Sequence, residues 1–161
     1  MKAKELMIGD FVRVSKDVCI KKGTIVRVRA IDGDNRFPEK GLIGCASCEQ
    51  VDDRSVSGGV WCEYLEPSPL TAEILEKNGF RFDGSGQRSM MLATPYGDSG
   101  TRWSIYVGLK HKTIEAHSAP PVERKPGWRK SNKACLEVCG CFVHELQHLL
   151  RLCGIEKEIV I

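Results

Sequence analysis

Short runs of alternating apolar and polar residues fill the first third of the chain, and they predict strands rather than helices. Residues 11–14, Phe-Val-Arg-Val, follow Gly9-Asp10 and read as a strand. A Lys21-Lys22-Gly23 turn comes next. Residues 24–31 alternate, with Val26, Val28 and Ala30 on one face and Arg27 and Arg29 on the other. Asp32-Gly33-Asp34-Asn35 reads as a second turn. Residues 42–46 and 60–65 supply further short strands. Such strands, with turns at this spacing, predict a small SH3-like β-barrel over residues 1–66. That architecture hosts many functions and selects none.

The pattern changes after Glu66-Pro67-Ser68-Pro69, which reads as a stiff connector. Thr71 is a suitable N-cap, and Leu70 and Leu75 are placed for a hydrophobic staple. A short helix is expected over 72–77, stopped by Asn78-Gly79. Residues 80–117 read as a β-meander, with strands at 90–94, 102–107 and 113–117 between glycine-rich turns. A strand near 136–138, an amphipathic helix over 142–153 ended by Gly154, and a terminal strand at 158–161 complete the expectation. The second region, 67–161, is thus α+β, and no internal repeat is visible.

Composition bounds the class. The chain has 161 residues, 42% of them hydrophobic and 28% charged, as an ordinary globular protein of one domain or two small ones has. No apolar run approaches the roughly twenty residues of a membrane span. The first residues carry lysines but neither an apolar core nor a small-residue cleavage site, so no secretory signal is expected. The eight cysteines are then expected as thiols in a reducing cytoplasm rather than as a disulfide framework.

Charge is unevenly spread. The formal net charge is +3, yet residues 81–133 hold ten basic and four acidic residues. The densest stretch is Glu-Arg-Lys-Pro-Gly-Trp-Arg-Lys-Ser-Asn-Lys, where Arg124, Lys125, Arg129, Lys130 and Lys133 surround Trp128. Cations for phosphates beside an indole for a base make this loop a candidate nucleic-acid contact, with Arg27 and Arg29 as further candidates. A solvated surface loop has the same composition.

One string carries catalytic chemistry. His144-Glu145-Leu146-Gln147-His148 is H-E-x-x-H, in which two histidines on one helix face hold Zn²⁺ and the glutamate acts as general base. The helical projection argues against it. At about 100° per residue, Phe142, Leu146, Leu149, Leu150 and Cys153 share one arc, while His144, Gln147, His148 and Arg151 share the other. The histidines are therefore expected on a solvent-facing stripe beside an arginine whose charge would repel a metal. A third ligand is hard to find, because Arg151 and Gly154 occupy the offsets where an extended motif places a glycine and a histidine, which leaves an upstream His111, His117 or a cysteine. No catalytic residue and no cofactor is therefore expected, with zinc on His144 and His148, and Glu145 as base, as the alternative.

Cys45-Ala46-Ser47-Cys48 is a C-x-x-C, and Cys62 falls on a neighbouring expected strand. On a turn, such a pair presents two thiolates to one metal, and Cys19 could complete a four-ligand set. The second C-x-x-C of a zinc ribbon is absent, and free cysteine also serves as a small buried hydrophobe.

Three segments carry a resemblance. The opening K-E-L-M-I-G-D-F-V, the central E-Y-L-E-P-S-P-L-T-A-E-I-L-E-K-N-G-F and the closing F-V-H-E-L-Q-H-L-L-R-L-C-G-I resemble a family of small uncharacterised proteins of gut Bacteroidetes genomes, prophages and mobile elements. The resemblance covers both ends and the centre, not the meander or the basic loop. Its closing helix is defined by Val143, His144, Leu146 and Gln147, so Glu145 and His148 stand outside it. The resemblance implies lineage and fold, with no activity attached. Together these features predict an accessory or binding protein of a phage or mobile element that is not an enzyme, contacts nucleic acid and is not bound to a membrane. The alternative is a zinc-dependent hydrolase.

Overall fold

The computed structural model describes residues 1–82, 89–93, 102–119 and 135–161. Over these the fold is α+β, with two five-stranded sheets, every strand pair antiparallel, and two short α-helices. The chain divides into two compact units. One is Met1–Pro69 with Phe142–His144, and the other is Leu70–Cys141 with Glu145–Ile161.

In the first unit β1 (Phe11–Val14), β2 (Ile25–Phe37), β3 (Leu42–Gln50), β4 (Ser57–Trp61) and β5 (Leu65–Pro67) form a sheet in the order β4-β3-β2-β1-β5. Alternation decides its buried face. Val12, Val14, Val26, Val28, Ala46, Cys48 and Val60 point into one core with Leu6, Ile20, Cys62 and Leu65. The turn between β1 and β2 closes as its glycine demands, with Gly23 at φ 87 and its N–H donating to the Val14 carbonyl at 2.7 Å.

The expected turn at 32–35 is not a turn between strands. The Asp32 carboxylate accepts from the N–H groups of Asp34 and Asn35, both at 3.1 Å, so the local turn chemistry is present. It is absorbed inside β2 as an irregularity. Asp32 pairs with Cys45 and Arg36 with Ile43, so β2 advances four residues where β3 advances two. The strand then continues to Phe37, and the hairpin turns at 38–41 instead. A second irregularity between Val28 and Ala30 breaks the alternation, which is why Ala30 is exposed rather than aligned with Val26 and Val28.

The second unit holds α1 (Ala72–Lys77), the meander β6 (Arg81–Phe82), β7 (Ser89–Ala93), β8 (Arg102–Gly108), β9 (Thr113–Ala119) and β10 (Cys135–Cys139), and most of α2 (Val143–Leu152). Thr71 caps α1, its hydroxyl accepting from the Ile74 N–H at 3.2 Å, and Leu70 and Leu75 are both buried. Each helix ends on a left-handed glycine. Behind Gly79 (φ 79) the Phe80 N–H reaches the Leu75 carbonyl, and behind Gly154 (φ 67) the Ile155 N–H reaches the Leu150 carbonyl. Met90, Ile105, Val107, Ile114 and Ala116 alternate onto the buried side of the sheet. Residues 158–161 form no strand. The side chain of buried Asn78 holds them, donating to the Ile74 and Val160 carbonyls at 2.7 Å each and accepting from the Val160 N–H at 2.9 Å.

Candidate functional site

The first turn of α2 carries the H-E-x-x-H string, and its surroundings differ from a solvent-facing stripe. His144 and Gln147 are each only 6% exposed, and His148 is half-buried. Only Arg151 of the four polar residues is exposed. The projection places the apolar arc correctly, since Leu146, Leu149 and Leu150 are buried, but the buried arc is wider than that. The His144 ring lies nearly flat on Phe142, with centroids 6.0 Å apart and planes 18° apart. A stacked imidazole with this little exposure contributes packing area along its ring face.

Glu145 has a local role that its position explains. It is the third residue of α2, where an acidic side chain can reach back over the residues before the helix and complement the helix dipole. Its carboxylate occupies the space that a side chain on Gly140 would fill, and Gly140 has φ 149. After burial, this carboxylate is the next cause that pushes the Cys141 thiol up. Glu145, Gln147, His148 and Arg151 are each engaged by a neighbour. Among the described residues no group of three or more His, Cys, Asp or Glu side chains is arranged to hold a metal ion.

The C-x-x-C lies on a strand rather than on a turn. Cys45 and Cys48 both belong to β3, three residues apart, and therefore point to opposite faces. Cys48 and Cys62 are fully buried in the core, Cys45 is half-buried on the other face, and Cys19 is exposed. Burial pushes the Cys48 thiol up to about 12, with further contributions from Cys45, Cys62 and Cys19. Burial, then Glu63 and Cys45, pushes Cys62 up to about 11. Burial, then Asp32 and Cys19, raises Cys45. Cys45, Cys48 and Cys62 are thus thiols that resist ionisation, in one neighbourhood of the first unit.

The basic candidates divide in two. Arg124, Lys125, Trp128, Arg129, Lys130 and Lys133 lie outside the described residues. Arg27 and Arg29 lie on β2. Arg29 is ion-paired with Glu49, to which Arg54 also comes within 3.8 Å, and the Arg27 guanidinium stands 5.8 Å from the Phe11 ring centroid. Glu49 is held below the usual carboxylate range by the Arg29 hydrogen bond. A phosphate at Arg29 would compete with that carboxylate.

Sequence reading passes over two surface features. Phe37 and Trp61 stand 6.4 Å apart, with the Lys40 ammonium 5.0 Å from the Phe37 ring and Ile43 exposed nearby on β3. On the second sheet His117 meets Tyr106 edge-on at 5.4 Å and pairs with Glu115 at 3.0 Å. Alternation of Ser104, Tyr106, Glu115 and His117 on adjacent strands is the signal that could have located this second cluster.

No protein family, no curated protein and no solved structure matches this chain. Among the described residues no helix is long and apolar enough to cross a membrane.

Proposed function

We propose that this chain is a non-enzymatic accessory or binding protein of a phage or mobile element, acting in the cytoplasm and contacting nucleic acid through the loop from Arg124 to Lys133. The N-terminal sheet is then the wall of a small SH3-like barrel. Its five antiparallel strands over one apolar core support that reading.

The observation that carries the non-enzymatic part is the placement of the H-E-x-x-H side chains. His144 is stacked on Phe142, and Glu145 is turned back over Gly140 at the first turn of its helix. A general base must face a metal-bound water, and a catalytic zinc needs three protein ligands with an open position. The packing of His144 and the helix-end position of Glu145 support that reading. The nucleic-acid part is supported by charge: ten basic against four acidic residues in 81–133, most densely around Trp128.

Fluorescence anisotropy with a labelled single-stranded oligonucleotide at low salt tests it. Binding should weaken steeply as salt rises and show little sequence preference. Arg129→Ala with Lys130→Ala should lower the affinity and reduce the salt slope by roughly one unit for each phosphate that the protein ceases to neutralise. An affinity indifferent to both substitutions would remove the loop from the interface.

A further inference from the structure

We infer that the open face of the second sheet is a stacking platform for single-stranded nucleic acid, with Tyr106 and His117 receiving a base and Arg102 a neighbouring phosphate. The inference rests on the nucleic-acid reading of the Arg124 to Lys133 loop and extends it to residues on the sheet.

Alternation sorts the meander into two faces. Met90, Ile105, Val107, Ile114 and Ala116 are buried on one. Ser104, Tyr106, Glu115 and His117 therefore occupy the other, and all four are half-buried. Ladder pairing sets them side by side, with Ser104 opposite His117 and Tyr106 opposite Glu115. Tyr106 and His117 are diagonal neighbours, their ring centroids 5.4 Å apart and their planes at 84°. In such a contact the edge of one ring abuts the face of the other. The ring that offers its edge keeps both faces clear of the pair, and a planar base can stack there. The Glu115 carboxylate, 3.0 Å from Nε2 of His117, fixes the imidazole. The side chains of His117 and Glu115 remain 34% and 40% exposed.

Charge decides how a strand would lie. Arg102 is exposed and shares the face of Tyr106, four residues before it and roughly 13–14 Å away along β8. Arg81 pairs with Met91, which pairs with Tyr106, so the β6–β8 half of the face is basic. Glu115 pairs with Glu137, so the β9–β10 half is acidic. Phosphates are drawn to the first half and repelled from the second, which directs the bases toward His117. The chain leaves β9 at Ala119, opposite Arg102, and enters β10 at Cys135, opposite His117. The most basic stretch of the sequence is therefore tethered at the Arg102 end of the platform.

The test is fluorescence anisotropy over a salt series with two labelled single strands of equal length, an oligothymidine and an abasic strand that keeps only the sugar-phosphate backbone. The oligothymidine should bind the wild-type protein more tightly. Tyr106→Ala should weaken its binding about 5- to 150-fold, the range for one stacked base, and leave the salt slope unchanged. The same substitution should leave binding of the abasic strand as it was. His117→Ala should repeat this pattern, and Tyr106→Phe should retain the affinity, each variant being checked for its fold by circular dichroism. Arg102→Gln should weaken binding of both strands and reduce the slope by about one unit. Equal binding of the oligothymidine by the wild type and Tyr106→Ala would overturn the platform. So would a loss in Tyr106→Ala that the abasic strand shares. Where Arg129→Ala with Lys130→Ala still weakens binding in that case, the loop reading stands without the platform. A wild-type protein that binds neither strand overturns both.

Discussion

Asn78→Ala should release the end of the chain from α1 and destabilise the second unit by about 2–3 kcal/mol. The magnitude comes from three hydrogen bonds made by one side chain, to Ile74 and to both backbone groups of Val160. Each is worth about 0.5–1.5 kcal/mol net of the water it displaces. The total stays below the simple triple because Val160 is exposed, so water can reach its backbone groups once the amide is gone. Asn78 itself is 2% exposed, so the alanine also leaves a small buried void. For a chain of this length the loss lowers the unfolding midpoint by about 4–12 °C. Urea melts followed by circular dichroism read the free energy, and hydrogen exchange at the Val160 amide reads the local release. Asn78→Asp is the sharper control. It keeps an acceptor for the Val160 N–H but sets a buried carboxylate against two carbonyls, so it should be worse than alanine. A loss within about 0.5 kcal/mol in the alanine variant, or unchanged protection of the Val160 amide, would refute the clasp.

On α2, Leu146→Ala should destabilise by about 2–5 kcal/mol, whereas Leu152→Ala on the same helix should stay within about 0.5 kcal/mol. Denaturant melts giving the reverse order would mean that the helix faces the other way. Thr71→Ala should cost about 1 kcal/mol through its cap, with Thr71→Ser recovering most of it. Alkaline titration should lower stability above about pH 8.5, where the unfolded thiols begin to ionise. Cys48 and Cys62 stay protonated in the fold up to about 12 and about 11, so the unfolded chain binds fewer protons across that window. Cys48→Ala with Cys62→Ala should flatten the slope of urea stability against pH between about 8.5 and 11, and an unchanged slope would assign it elsewhere.

The α+β class, the meander and both helices were legible because each rests on local signals. Thr71 and the glycines at 79 and 154 bracket their helices through backbone geometry that short stretches of sequence determine. The long β2 was not legible, because Asp32-Gly33-Asp34-Asn35 carries the chemistry of a turn and only pairing with β3 decides that the strand continues. The terminal residues look like a strand by their β-branched run, but the backbone of Val160 is taken up by Asn78, more than eighty positions away in the chain. The helical projection finds the leucines of α2 and misplaces His144 and Gln147, since a projection sorts directions but not the depth of the surrounding fold. The C-x-x-C spacing suggests a shared ligand, and the pleat of β3 separates its two sulfurs onto opposite faces.

The slack inside β2 gives the N-terminal hairpin two mechanically separate halves. Below it, Val26 and Val28 are locked to Gln50 and Cys48, where a slip by one residue would turn the core outward. Above it, the tip that carries Phe37 and Lys40 is joined through residues that no ladder fixes in register. Residues can be inserted or deleted at 33–35 without the change propagating into the core, because the irregularity takes up the difference. The tip is therefore the part of this unit where length and shape can drift between descendants of the same fold while the base stays constant. A surface that must follow a changing partner is best carried at such a place.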